Sequence, residues 1–206
     1  MTTPHPSHHL FTTIVAPSTI RRLLLIAIFV AAAMTGRAQK PCHGDGIDDY
    51  LRFVPLGSAV LLKAAGVESA SSWKRFAANT ALSCAITTGT TWALKHAIHE
   101  RRPDRTDRRS FPSGHTSIAF AGAAILDREF RHVSPWISVA GYAVATGVAV
   151  DRVARNRHHW HDVAAGAAIG VGSVIAGYCI GDRLTGERSR YTVAVGAEGI
   201  TVSVAL

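Results

Sequence analysis

Three short clusters between Lys95 and Asp162 hold residue types that bind and transfer phosphate, each at the edge of an uncharged run. The first runs from Lys95 through Arg102 to Pro103, the second is Pro112-Ser113-Gly114-His115, and the third is Arg152 followed by His158 and Asp162. A phosphate monoester spreads up to two negative charges over its non-bridging oxygens. Arg102 and Arg152 offer planar, bidentate forks for those oxygens, and Lys95 adds a compact point charge. Ser113 and the backbone N–H groups around Gly114 add neutral donors, since a glycine lets the main chain approach an anion closely. The apolar residues after His115 predict a helix opening there, which puts the anion at a helix N-terminus. Donors fixed around developing charge supply the largest catalytic contribution in many enzymes.

Bond cleavage also needs a nucleophile and an acid, and His158 and His115 are the two candidates. A histidine nucleophile presents one neutral ring nitrogen to phosphorus while an acceptor holds the opposite N–H and fixes the tautomer. Asp162 is four residues after His158, on the same face of a helical stretch, which makes it the orienting carboxylate. His115 is then left to protonate the departing alkoxide and later to activate water.

With these residues the chain resembles the type 2 phosphatidic acid phosphatase and vanadium haloperoxidase superfamily, whose pattern is K-x6-R-P, then P-S-G-H, then S-R-x5-H-x3-D. Lys95, Arg102 and Pro103 fit the first part, Pro112 to His115 the second, and Arg152, His158 and Asp162 the third. Asp151 stands where the family has serine, a change that removes no group with a catalytic role. The resemblance covers roughly residues 50–181. It implies phosphomonoester or pyrophosphate hydrolysis with His158 as nucleophile and His115 as acid, and no metal or other cofactor.

Other basic and imidazole residues have plainer readings. Arg101, Arg105, Arg108, Arg109, Arg155 and Arg157 read as headgroup anchors beside a membrane. His96, His99, His132, His159 and His161 read as structural. The run His158-His159-Trp160-His161-Asp162 has zinc-type ligands, but only His158 and Asp162 share a helical face, and the nearby cations oppose a metal ion.

The elements that must position these clusters read as membrane helices. Of 206 residues, 48% are hydrophobic and only 17% charged, a balance that leans toward a membrane protein. Uncharged runs at 76–94, 132–150 and 163–181 approach the roughly 20 residues a helix needs to span a bilayer. The runs at 110–126 and 53–67 are weaker spans, one short and the other interrupted by Lys63. Gly166-x3-Gly170 and Gly177-x3-Gly181 have the spacing of close helix contacts in lipid. The fold class expected is therefore an all-α bundle of about five to six mostly transmembrane helices, with a buried set of helices in a soluble domain as the other reading. Alternating spans bring Lys95 to His115 and Arg152 to Asp162 out on one face, the extracytoplasmic face if the N-terminus is exported.

Residues 1–38 read as a signal peptide or first transmembrane segment, with Arg21 and Arg22 before an apolar stretch and small residues near Ala38. Residues 39–48 read as a loop, 49–181 as the helical phosphatase-like domain, and 182–206 as a tail whose β-branched runs at 191–195 and 200–204 predict a β-hairpin. Cys42, Cys84 and Cys179 do not make a disulfide framework. The net charge of +8 flanks apolar spans and forms no nucleic-acid patch, so anionic lipid is the expected partner. The leading expectation is a phosphatase of a bacterial-type inner membrane acting on a phospholipid or polyprenyl phosphate. A nonspecific acid phosphatase of soluble esters, a vanadate-dependent haloperoxidase and a non-catalytic lipid-binding membrane protein remain open.

Overall fold

The computed structural model describes residues 47–187 and, as backbone, two strands beyond them. The described residues form α1 (Asp48–Leu51), α2 (Val54–Ala64), α3 (Trp73–Ala97), α4 (Gly114–Phe130), α5 (Pro135–Ala154) and α6 (Trp160–Thr185). Strands β1 (Tyr191–Gly196) and β2 (Gly199–Val204) pair antiparallel, Tyr191 opposite Val204 and Gly196 opposite Gly199. Residues 1–38 and most of 39–48 lie outside the described residues.

Local chemistry sets the helix limits. Ser72 caps α3 by accepting the Arg75 N–H, and Ser134 caps α5, whose first residue is Pro135; both are strong start signals. Because of that cap, α5 starts three residues into the uncharged run at 132–150. Gly186, at φ 69°, ends α6 in the left-handed conformation that glycine adopts freely.

Helix α4 lies at the centre and packs on α2, α3, α5 and α6. Ala119, Ala121, Ala123, Ala124, Ile125, Leu126 and Phe130 along it are all buried. Glycines of α6 permit the close approach their spacing predicts. A Cβ at Gly166 would sit 2.6 Å from the Ser113 carbonyl, and one at Gly170 would sit 2.8 Å from the Ala121 nitrogen. Further along, a Cβ at Gly177 would sit 2.7 Å from the Ser83 nitrogen of α3. The same helix thus meets α4 with one glycine pair and α3 with the other.

At the end opposite the clusters, polar groups tie α3 to α6. Arg75 grips Asp182 through two bonds of 2.7 and 2.9 Å, and Asn79 donates to the same carboxylate at 2.9 Å. Tyr178 and Ser71 both donate to Glu129, at 2.7 and 2.6 Å. Fixing that end sets the register of two long antiparallel helices, and so the position of Lys95 relative to Asp162 at the other.

Helices α5 and α6 are long and apolar enough to cross a membrane. Helix α3 is longer than α5 but carries Asn79, Ser83, Thr87 and Thr91, and these polar residues are its buried face. Ser83 and Thr87 satisfy their hydroxyls on carbonyls four residues back, each at 2.7 Å.

Gly170→Ala forces a methyl group into the α4 backbone, and overpacking of this kind costs about 1–3 kcal/mol. The expected result is a lower melting temperature in detergent for Gly170→Ala, with no lowering for Gly172→Ala, where nothing lies within 4 Å of the added carbon.

Candidate active site

All the singled-out residues gather where α3 and α5 end and α4 and α6 begin. Lys95 is in the last turn of α3, Ser113 is the N-cap of α4 with Gly114 and His115 in its first turn, and Arg152 is in the last turn of α5. His158 lies on the short connection to α6, whose first turn holds Asp162. Arg102 comes from the loop between α3 and α4.

Asp162 joins three of these segments. Its carbonyl accepts the Ser113 N–H at 3.0 Å. Its Oδ2 accepts from the Ser110 hydroxyl and from the His159 N–H at 2.9 Å, and stands 3.5 Å from Nδ1 of His158. That last separation is just beyond a hydrogen bond, as catalytic contacts often are before substrate binds.

The two arginines are held in the same way. Arg102 donates from Nε to Asp107 at 2.8 Å, and Arg152 donates from Nη1 to Asp48, while Nη1 of Arg102 and Nε of Arg152 are buried without a hydrogen-bond partner. Buried donors are almost always paired in folded proteins, so two unpaired guanidinium N–H groups at one site are free to take an anion. Lys95 donates to the Arg109 carbonyl at 2.9 Å.

Electrostatics keep the His158 ring neutral. Burial first, then the charges of Arg102, Lys95 and Arg152, pull the His158 pKa down to about 3 against the opposing pull of Asp162. The ring is therefore an unprotonated base throughout the physiological range. Burial, then Arg102, also lowers Lys95 to about 8. His115 is lowered too, chiefly by burial, with Asp49 countering.

Partners of His115 come from α1, which the motif pattern does not reach. Its Nε2 lies 2.6 Å from Oδ1 of Asp49 and 2.9 Å from Nη1 of Arg52. One ring nitrogen cannot donate to the carboxylate and accept from the guanidinium at once. Unprotonated at Nε2, it accepts from Arg52; protonated, it donates to Asp49.

One expectation needs correction. Arg155 and Arg157 read as headgroup anchors, but Arg155 binds Asp48 at 2.6 Å and Arg157 binds Asp104 at 2.9 Å. Both close loops around the site, with carboxylates too distant in sequence for spacing to reveal them. His159 and His161, read as structural, both meet Glu100, at 3.3 and 2.7 Å. Asp151, the departure from the family pattern, faces Arg155 at 3.7 Å.

An end-of-bundle site with a lysine, an arginine, a serine, a histidine, a second arginine and a second histidine in this order defines a class of protein. Residues 76–185 match the PAP2 superfamily, and the chain belongs to that family. It is 38% identical over 146 residues to a lipid A 1-phosphatase of Porphyromonas gingivalis, an alignment covering 70% of this chain and 33% of that protein. It is also 38% identical over 82 residues to lipid phosphate phosphatase 2 of Arabidopsis thaliana, covering 34% of this chain and 28% of that one. This chain thus spans a third or less of the length of these curated relatives. A crystal structure of Aquifex aeolicus LpxE superposes with a TM-score of 0.49 at 21% identity, covering 81% of this chain and 97% of that one.

A pH prediction follows from Lys95. Its positive charge is present below a pKa of about 8 and is lost as pH rises through that value. Inorganic phosphate, already a dianion there, should bind progressively more weakly above about pH 8, read as a rising inhibition constant. A flat profile from pH 7 to 10 in wild type would remove Lys95 from the anion site.

Proposed function

We propose that this chain is a membrane phosphatase that hydrolyses a phosphate monoester or pyrophosphate of a lipid through a phosphohistidine, with no metal ion at phosphorus. The observation that carries the reading is the pair of buried, unpaired arginine donors beside a histidine held neutral. Relatives named as lipid A 1-phosphatase and lipid phosphate phosphatase support a phosphorylated lipid as substrate class.

In the reaction, the unprotonated Nε2 of His158 attacks phosphorus in line with the ester oxygen. The P–N bond forms, the P–O bond breaks, and His115 transfers a proton to the leaving alkoxide. Asp162 balances the positive charge that develops on the His158 ring, accepting from its Nδ1–H. Lys95, Arg102, Arg152, Ser113 and the Gly114 backbone bind the non-bridging oxygens. His115, now a base, takes a proton from water; the oxygen of that water attacks phosphorus and the P–N bond breaks, releasing phosphate and free His158.

Three features support placing this site at a membrane surface. Helices α5 and α6 meet the length and hydropathy of spans. Helix α3 turns Asn79, Ser83, Thr87 and Thr91 inward, an arrangement expected where the surroundings are apolar. Exposed aromatics also mark both ends: Trp73 and Trp136 at the start of α3 and α5, and Trp92, Trp160 and Tyr50 near the site. Trp73 and Trp92 are about 28 Å apart along the helix at 1.5 Å per residue, close to the roughly 30 Å of a hydrocarbon core with aromatics at its two borders. A lipid tail can then stay in the hydrocarbon while its headgroup reaches the cations. The charged and apolar pattern of residues 1–38 supports export of the N-terminus, which puts the site on the extracytoplasmic face of a bacterial-type inner membrane.

His158→Ala should abolish the labelled phosphoenzyme and lower turnover by at least about a thousandfold, as loss of a nucleophile does. Arg102→Ala should instead weaken phosphate inhibition by about ten- to a hundredfold, the worth of a hydrogen bond to a charged group. Phosphate release from lipid and soluble esters in detergent micelles checks both. Undiminished turnover by His158→Ala refutes the assigned nucleophile.

A further inference from the structure

Asp162 uses its two oxygens unequally. Oδ2 takes the Ser110 hydroxyl and the His159 N–H, but Oδ1 makes no hydrogen bond although the side chain is wholly buried. A buried carboxylate oxygen without a donor is expensive. It faces Nε2 of His161 at 3.4 Å. That nitrogen is 2.7 Å from Oε1 of Glu100, which is 3.3 Å from Nδ1 of His159. His159 Nδ1 is itself buried without a hydrogen bond, 3.4 Å from Oδ2 of Asp162. Two imidazole nitrogens and two carboxylate oxygens thus lie within 4.8 Å of one another.

We propose that Glu100, His159, His161 and Asp162 form a binding site for one zinc ion. Zinc takes four nitrogen and oxygen ligands tetrahedrally at about 2.0–2.1 Å, which separates the ligand atoms from each other by about 3.3–3.4 Å. Of the three separations given among these ligand atoms, those of 3.3 and 3.4 Å have that spacing. Two carboxylates offset the charge of the ion, and among the described residues no lysine or arginine forms an ion pair with Glu100 or Asp162.

Helical spacing hides this set, because His159 is the N-cap of α6 and has an extended backbone (φ −77°, ψ 162°). Its ring is therefore not carried on the helical face that its number implies. Glu100 arrives from the loop after α3. The two imidazoles lie parallel within 8°, their centroids 5.1 Å apart, so directing both lone pairs at one ion requires rotation about χ2. That torsion is soft, and side-chain exposures of 37% and 42% leave the rings room to turn.

The zinc binds neither phosphate nor His158. It satisfies Oδ1 of Asp162 and pins the Glu100 loop to α6, leaving Oδ2 for the groups it already holds. The site does not rest on the phosphatase reading, and the test reads metal instead of turnover.

The tag-free full chain, stripped with chelator in detergent, is titrated calorimetrically with zinc chloride. The expected result is one zinc per chain, bound at least about tenfold more weakly by Glu100→Gln and by His161→Ala, since even groups behind the ligands cost that much. A triple variant, His5→Ala, His8→Ala and His9→Ala, should bind as wild type does. No binding by wild type, unchanged affinity in both site variants, or loss of binding in the triple variant would overturn the proposal. Zinc-edge anomalous scattering from wild-type crystals needs no variant: a peak between Glu100 and His161 supports the site, and a zinc-soaked crystal without one refutes it.

Discussion

The constraint on which the site depends is the attachment of Asp162 to everything around it. One residue in the first turn of α6 accepts the N–H of the α4 N-cap through its backbone. Through its side chain it accepts the hydroxyl of the loop before α4 and the N–H of the residue capping its own helix. The clusters are distant in sequence, yet each is within one or two contacts of this carboxylate. Gly166, one turn further, makes that possible, since any side chain there would strike the Ser113 carbonyl. Glycine packing and the geometry of the site are therefore linked: the approach of α4 to α6 sets where Ser113 and His115 stand relative to His158.

A bundle in lipid gains little from burying apolar side chains, because the solvent is as apolar as the core. Close packing and polar contacts between helices must supply the cohesion. Both are present here in alternating levels along α6. Glycines meet α4 and then α3, and the Arg75–Asp182–Asn79 group locks the end remote from the site. The inward polar face of α3 belongs to the same scheme. The Ser83 and Thr87 hydroxyls fold back on their own helix and that of Thr91 reaches Ser117 of α4, so they line the interior without needing water.

Much of this was legible in the sequence. The ordered motifs named Lys95, Arg102, Ser113, Gly114, His115, Arg152, His158 and Asp162, and the alternation of uncharged runs put them at one end. The glycine spacings named the close contacts. What spacing could not show were partners supplied by distant, weakly patterned segments. Asp48, Asp49 and Arg52 belong to or border a four-residue helix with no periodicity to read. Their pairing with Arg152 and His115 depends on a chain reversal more than sixty residues long. Glu100 carries no such signal either, since one glutamate among arginines has the pattern of a charge-balancing surface residue. The polarity of α3 obscured its inward face, since mean hydropathy records how many polar residues a helix has and not where they point.

The carboxylates around the arginines raise the question of why an anion site should contain anions at all. Asp107 and Asp48 each occupy one edge of a guanidinium and leave another N–H of the same group unpaired. A free arginine side chain would lose considerable rotamer entropy on gripping phosphate, whereas one already held by a carboxylate has lost it during folding. Asp162 does the same for His158, and Asp49 for His115. The negative charges lower the net field that attracts substrate, but in exchange the donors are fixed in direction before it arrives. In the proposed reaction, where charge builds on the departing ester oxygen, fixed direction contributes more than excess charge, because dipoles already aimed at the transition state need no reorganisation when it forms.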